Sequence, residues 1–186
     1  MKMKGNRKQG DTDEGGEIEQ LSLNISEPSV YQNLNPNDVV FTPDHIAKYI
    51  IDTFNPDGKC LDPCRGEGAF YKFLPKGSDW CEIVYDKNFY NYKENVDWIV
   101  SNPPYSDFNR WLEHSFKLSN NVVYLVPIAK VFKSWGTLMV IKKYGGIKKI
   151  IFMKGSDCGF PFGFPVGAFH FKKKWGGCIE IEFYQT

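Results

Sequence analysis

The chain has 186 residues, 42% of them hydrophobic, and its 23 basic and 22 acidic side chains nearly cancel. This length and composition fit one domain with a sizeable core, and no apolar run is long enough to span a membrane. The five cysteines form no C-x-x-C pair and no cluster with histidine, so we expect free thiols, no metal and a reducing, cytoplasmic setting.

The charges are unevenly distributed along the chain. Residues 121–186 contain ten lysines against Asp157, Glu180 and Glu182, an excess of seven positive charges. Such an excess fits a polyanionic partner, although a solvated lysine-rich face explains it equally well. Residues 1–37 are polar and carry both charges, so we predict a disordered tail there and a folded domain over 38–186.

Apolar spacing and turn residues predict the elements in chain order. A helix over 42–54 precedes a strand over 58–63, a short helix over 69–74 and strands over 79–84 and 96–101. There follow a helix over 107–119, a strand over 121–127, a helix over 129–144, a strand over 145–154 and a hairpin over 167–185 that turns at Gly176-Gly177. This alternation indicates an α/β fold with a mostly parallel sheet of seven strands and an antiparallel C-terminal hairpin.

Two loops of unusual composition follow predicted strands. "DPCRGEG" places Gly66 and Gly68 where the backbone turns sharply, and "NPPY" follows the strand over 96–101. Because ligands of parallel sheets bind beyond the carboxyl ends of the strands, we expect both loops to border one site. The first loop lacks the Lys-Ser/Thr of a P-loop and the third glycine of the dinucleotide fingerprint, so neither a nucleoside triphosphate nor NAD is expected.

Glu82 follows the next predicted strand. A carboxylate at that place either accepts hydrogen bonds from both hydroxyls of a ribose or is exposed to solvent without a ligand. With it, the order "FTP", "DPCRGEGAF", "CEI" and "NPPY" over residues 38–184 resembles the class I S-adenosylmethionine-dependent methyltransferases of nucleobase amino groups, specifically the DNA adenine-N6 enzymes. The resemblance implies a Rossmann-like fold, S-adenosylmethionine as cofactor and DNA as partner, in a host-cell cytoplasm if a phage encodes the chain. Alternatives that share such a site are methylation of RNA adenine N6, RNA guanine N2 or protein glutamine, and a catalytically silent subunit that binds nucleic acid.

The resemblance also implies a set of cofactor-binding residues. The segments that match those contacting the methionine part of the cofactor contain Phe41, Thr42, Pro43, Asp62, Pro63, Gly66 and Gly68. Glu82 matches the acid that binds the ribose. Asn88 and Phe89 stand where the family has an acid and an aromatic at the adenine ring; an asparagine oxygen still accepts a hydrogen bond, and Asp86 is an alternative acid.

The "NPPY" stretch is predicted to carry catalysis. The N6 amino group of adenine is a poor nucleophile because its lone pair is delocalised into the ring. The side-chain oxygen of Asn102 and the backbone carbonyl of Pro103 can each accept one amino hydrogen, which turns the lone pair towards the methyl group for direct in-line transfer. Pro103 and Pro104 fix the backbone, and Tyr105 offers a face on which an extruded base stacks.

A separate target-recognition domain is not expected, because the residues after Lys130 are mostly needed for the last helix and strands. A predicted aromatic and basic clamp on nucleic acid consists of Phe160, Phe162 and Phe164 together with Lys154, Lys172, Lys173 and Lys174. The alternative for this irregular stretch is a phenylalanine-rich loop packed on the core. We then expect the recognised nucleotide sequence to be short or loosely defined, or its recognition to be supplied by a partner or a second protomer.

Overall fold

The structure, a computed structural model, describes residues 38–161 and 163–185; the predicted tail over 1–37 and Phe162 lie outside them. The described elements are α1 Asp44–Phe54, β1 Cys60–Asp62, β2 Asp79–Trp80, β3 Val96–Ser101, α2 Phe108–Leu118, β4 Ser119–Pro127, α3 Ile128–Phe132, α4 Trp135–Tyr144, β5 Gly145–Lys154, β6 Pro165–Lys173 and β7 Glu180–Phe183. The short helix predicted over 69–74 is a 3-10 turn, Tyr71–Phe73, and the helix predicted over 129–144 is divided into α3 and α4.

One seven-stranded sheet in the order β2-β1-β3-β4-β6-β5-β7 organises the described chain. β1 pairs in parallel with β2 and β3, β3 with β4, and β5 with β7. β6 runs antiparallel to both of its neighbours, β4 and β5. The predicted α/β fold with a mostly parallel seven-stranded sheet is therefore confirmed.

The position of the antiparallel pairing differs from the prediction. The turn at Gly176-Gly177 joins β6 to β7, but β5 lies between these two strands, so the predicted hairpin is wrong. The residues of β6 from Val166 to Phe171 are all buried, and a strand that is buried on both faces takes a central position in a sheet. β7 is largely exposed and is the outermost strand on its side of the sheet, where it pairs with β5 alone.

The core lies around β4. Its residues from Val122 to Val126 are completely inaccessible to solvent, as expected for a continuous apolar strand in the middle of a covered sheet. α2 and α4 pack together through the rings of Phe116 and Tyr144, which stack with centroids 3.8 Å apart. No helix within residues 38–161 and 163–185 is long and apolar enough to cross a membrane.

The strands begin and end at two opposite sides of the sheet, and different residues lie at each side. β1, β3 and β4 are parallel, so Asp62, Ser101 and Pro127 all lie at one edge, which we call the carboxyl edge. β6 begins at this edge, where Val166 pairs with Pro127, and ends at the opposite edge beside the first residues of β4 and β5. The glycine-rich loop, the "NPPY" loop and α3 consequently lie together at the carboxyl edge.

Candidate active site

A cleft of about 510 Å³ opens at the carboxyl edge, within the size range of small-molecule sites. The predicted cofactor residues that line it are Phe41, Thr42, Pro63, Gly66, Glu82, Asn88 and Phe89. Asn102 and Pro104 of the predicted catalytic loop line it as well. The structure thus brings residues from five separate stretches of the sequence to one cavity.

Three residues predicted to contact the cofactor do not line the cleft. Pro43 precedes α1, and its carbonyl accepts from the backbone N–H groups of Ile46 and Ala47 at 3.0 Å. Gly68 has a φ of 89° and donates its N–H to the carbonyl of Arg65 at 2.8 Å, which closes the glycine-rich turn. The Asp62 side chain is completely buried.

Asp62 connects β1 to β3 behind the cleft. Its Oδ1 accepts a hydrogen bond from the Ser101 hydroxyl at 2.7 Å, and the backbone groups of Cys64 and Tyr71 lie close enough to the carboxylate to lower its pKa. Burial raises the pKa of Asp62 to about 7; the negative charge of Glu82 adds to the rise, and the Ser101 bond opposes it. Near neutral pH this carboxyl group is therefore partly protonated.

Glu82 holds the glycine-rich loop against the end of β2. The residue is 3% exposed, and its Oε2 accepts from the backbone N–H of Gly66 at 2.7 Å. Oε1 has a long contact of 3.5 Å with the N–H of Val84, which leaves capacity to accept further hydrogen bonds. The adjacent Ile83 lines the cleft and is 51% exposed; the sequence analysis did not single it out.

The predicted adenine-binding residues Asn88 and Phe89 line the same cleft as Glu82. Asn88 uses its Oδ1 to accept from the backbone N–H of Tyr90 at 2.9 Å, a bond that takes one of the two lone pairs. Phe89 is 3% exposed, and its ring stacks on Trp111 with centroids 4.7 Å apart. Asp86, the alternative acid, is exposed and does not line the cleft.

The side-chain amide of Asn102 is held in one orientation. Its Nδ2 donates to the Thr42 hydroxyl oxygen at 3.1 Å and to the Val40 carbonyl at 3.4 Å. A backbone carbonyl accepts and cannot donate, so the amino side of the amide must face Val40 and the oxygen must face away from it. The Asn102 oxygen accepts a hydrogen bond from the Tyr105 hydroxyl.

Tyr105 is 7% exposed; its hydroxyl contacts Asn102 and its ring contacts Phe160. Its ring stacks on Phe160 with centroids 5.7 Å apart and an angle of 25° between planes. Burial raises the pKa of Tyr105 well above its ordinary value, so the hydroxyl remains a hydrogen-bond donor. In this structure Phe160, rather than a base, covers one face of the ring.

Asp38 is a residue of this site that the sequence analysis missed. Its carboxylate accepts from the backbone N–H groups of Tyr105 at 2.7 Å and Ser106 at 2.9 Å. These bonds fasten the "NPPY" loop to the segment that contains Val40 and Thr42. An aspartate that lies 67 positions away in sequence gives no local signal of this role.

The predicted aromatic and basic clamp is divided between the two edges of the sheet. Phe160 lies at Tyr105, where Gly159 passes close to the Phe41 backbone; a Cβ at Gly159 would lie 2.2 Å from the Phe41 carbonyl oxygen. Lys172 pairs with Asn121 and Gly146, at the amino ends of β4 and β5. The prediction that Lys172, Lys173 and Lys174 accompany Phe160 is therefore wrong, because β6 carries them to the opposite edge. Phe162 lies outside the described residues.

Comparisons with known proteins find the fold in structures of methyltransferases. No family model and no curated protein matches the sequence. A proposed class I S-adenosylmethionine-dependent methyltransferase from Listeria monocytogenes superposes with a TM-score of 0.60 at 16% identity, covering 83% of this chain and 68% of that one. A proposed RNA methyltransferase from Pyrococcus horikoshii gives a TM-score of 0.57 at 15% identity, covering 80% and 90%.

A methyltransferase subunit of a type I restriction-modification system from Streptococcus thermophilus is also similar. Its TM-score is 0.53 at 15% identity, and the match covers 72% of this chain and 44% of the subunit. This chain thus corresponds to less than half of that subunit. At these identities the likeness concerns the fold, and the chain has the fold of class I S-adenosylmethionine-dependent methyltransferases.

Proposed function

We propose that the chain transfers a methyl group from S-adenosylmethionine to the N6 amino group of adenine in DNA. The observation that carries this proposal is the fixed amide of Asn102. Its amino side is held by Val40 and Thr42, and its oxygen lies beside Tyr105, at the wall of the cleft. A fixed acceptor suits a substrate that presents N–H donors, as an exocyclic amino group does.

The residues of the cleft fit S-adenosylmethionine. Glu82 retains acceptor capacity for the hydroxyls of a ribose, and Ile83 and Phe89 provide an apolar wall for an adenine ring. Gly66 has a φ of 52°. A Cβ atom at this position would lie 3.8 Å from the nearest atoms of the Phe41 ring. When bound, the cofactor supplies an electrophilic methyl group on a sulfonium centre.

The protein contributes to the reaction by positioning the target amino group. Asn102 Oδ1 accepts one hydrogen of the target amino group through its second lone pair, and the Pro103 carbonyl accepts the other. As the nitrogen gains positive charge during transfer, these two acceptors stabilise it; the methylated nitrogen then releases one proton to water, and no covalent enzyme intermediate is needed. Asp38 and Thr42 do not react; they keep the loop and the amide in place.

RNA is the second candidate substrate. The likeness to the proposed Pyrococcus horikoshii RNA methyltransferase favours it, because that match covers 90% of the other chain. For DNA, the likeness to type I modification subunits, whose systems assemble from several subunits, supports a partner that supplies sequence recognition. A second protomer is the other possible source of recognition.

The test is nucleoside mass spectrometry after incubation with S-adenosylmethionine and unmethylated double-stranded DNA, single-stranded DNA or RNA. The wild type should form N6-methyladenine in DNA, and Asn102→Ala should lower the rate about 100- to 1,000-fold, the usual loss for one positioned hydrogen-bonding group. Cofactor affinity, measured by calorimetry, should not change in this variant.

Other outcomes contradict the proposal in distinguishable ways. N6-methyladenine or N2-methylguanine in RNA alone would replace DNA as the substrate. Normal turnover by Asn102→Ala would remove the proposed mechanism. Cofactor binding without any methylated base would indicate a silent nucleic-acid-binding subunit or an enzyme that requires its partner, and addition of candidate partner subunits separates these two.

A further inference from the structure

A second cavity, an open groove of about 590 Å³, lies next to the "NPPY" loop at the carboxyl edge. One wall is formed by the loop and the start of α2, and the other by the corner between α3 and α4. Thr137 on α4 donates to the side-chain oxygen of Asn109 on α2 at 2.7 Å, which ties the two walls together. Tyr105 borders this groove, while Asn102 and Pro104 border the cleft.

The groove carries free positive charge. Lys130 and Lys133 line it and are exposed, and neither has a carboxylate within ion-pairing distance in the described part of the chain. Asp107 also lines the groove, but Arg110 lies 3.6 Å from its carboxylate and the Tyr90 hydroxyl donates to it at 3.0 Å. The two lysines are therefore the charges available to a ligand, and they favour an anion.

Two exposed aromatic residues, Phe132 and Trp135, are close to these lysines in sequence, although neither lines the groove itself. Trp135, at the start of α4, is 75% exposed, and no aromatic ring or cation contacts it within residues 38–161 and 163–185. Tryptophan is usually well covered in a folded domain, so this exposure requires a reason. Phe132 is 42% exposed and touches Phe169 by its edge, 5.8 Å between centroids.

We propose that this groove binds an unpaired polynucleotide strand beside the target base, with Lys130 and Lys133 at its phosphates and Trp135 stacked on a neighbouring base. The inference rests on the proposed function, because it assigns the path of that substrate. Lysines interleaved with open aromatic rings are the combination that binds single strands without reading sequence.

The geometry favours a single strand over a duplex or a protein. The bases of a duplex are stacked on one another and cannot lie on Trp135, whereas splayed bases can. A protein that docks on the exposed apolar residues of α4 would also use Met139, one turn from Trp135 and 42% exposed. The lysines point to an anion, and the groove leads to Tyr105 at the catalytic loop.

The experiment measures binding of fluorescein-labelled mixed-sequence 20-mers, as single-stranded DNA, single-stranded RNA and duplex DNA, by anisotropy over a salt series. Trp135→Ala should weaken single-strand binding about 5- to 150-fold, the loss of one stacked base, and affect the duplex much less. Met139→Ala is the control for loss of an exposed apolar group and should change affinity less than about 2-fold. Comparison of the DNA and RNA strands identifies which polymer is preferred.

The contribution of the lysines is tested with two double variants, each of which removes two positive charges. Lys130→Gln with Lys133→Gln should weaken binding and lower the slope of log K against log salt by roughly 1.4. Lys173→Gln with Lys174→Gln, at the opposite edge, should leave both unchanged. All substituted side chains are exposed, and thermal melting checks that each variant is folded.

The outcomes separate this inference from the proposed function. Wild-type affinity in Trp135→Ala, or an equal loss in the two lysine pairs, would overturn the inference while methyl transfer still stood. Binding that depends on the groove, without methyl transfer even after candidate partner subunits are added, would uphold the inference and refute the proposed enzyme. Equal weakening by Trp135→Ala and Met139→Ala would show that loss of any exposed apolar group of α4 has the same effect, and would overturn stacking of a base on Trp135.

Discussion

Thr42→Val tests whether the orientation of the Asn102 amide determines the rate. The substitution keeps the shape of the side chain but removes the acceptor 3.1 Å from Nδ2, so that only the Val40 carbonyl, at 3.4 Å, still holds the amide. A neutral hydrogen bond contributes about 0.5–1.5 kcal/mol, which corresponds to roughly a 2- to 13-fold loss of rate if it acts in the transition state. We expect kcat to fall within that range in single-turnover assays by nucleoside mass spectrometry.

Three comparisons make this prediction specific. Thr42→Ser retains the hydroxyl and should retain the rate. The Kd for S-adenosylmethionine should stay unchanged in Thr42→Val, because the lost bond lies within the protein. In an Asn102→Ala background, Thr42→Val should have no further effect, since the group that it orients is gone. A raised Kd with unchanged kcat would show instead that Thr42 contacts the cofactor, and the reasoning from the amide would be refuted.

Two further predictions concern the carboxylates. Glu82→Gln should weaken S-adenosylmethionine binding about 10- to 100-fold by calorimetry, because it loses a charged acceptor, whereas the exposed Asp86→Asn should bind normally; equal affinities would contradict the ribose assignment. The pKa of Asp62 rises from 3.8 to about 7 on folding, so folding takes up a proton between those values. The unfolding free energy of the wild type relative to Asp62→Asn should therefore fall by roughly 3 kcal/mol from pH 4 to pH 7 in urea melts, and a constant difference would exclude this.

The cleft was predictable because it depends on local signals and one topological rule. Gly66 and Asn102 each follow a strand, and parallel neighbouring strands bring such loops to one edge. The apolar run of β4 identified a central strand without knowledge of its partners. These inferences need only the order of elements, which the sequence shows directly.

The basic surface was not predictable from the count of charges. The count of seven excess positive charges in the last third does not tell at which end of the strands the lysines lie. Their position depends on how β6 pairs with strands that are distant in sequence. An antiparallel β6 places Lys172 away from the site, while α3, which follows β4 directly, places Lys130 beside it. Asp38 was missed for the same reason, because its hydrogen bonds span 67 positions.

The surroundings of position 102 explain why an amide is needed there. On one side, the Val40 carbonyl requires a donor; on the other, the Tyr105 hydroxyl, kept protonated by its raised pKa, requires an acceptor. A carboxylate would place an oxygen against the Val40 carbonyl, and a hydroxyl is too small to serve both sides. Because buried polar groups are costly when unpaired, the fold itself favours asparagine in this orientation before any substrate binds. The acceptor oxygen is thus preorganised by the protein, which is the property that the proposed transfer reaction requires.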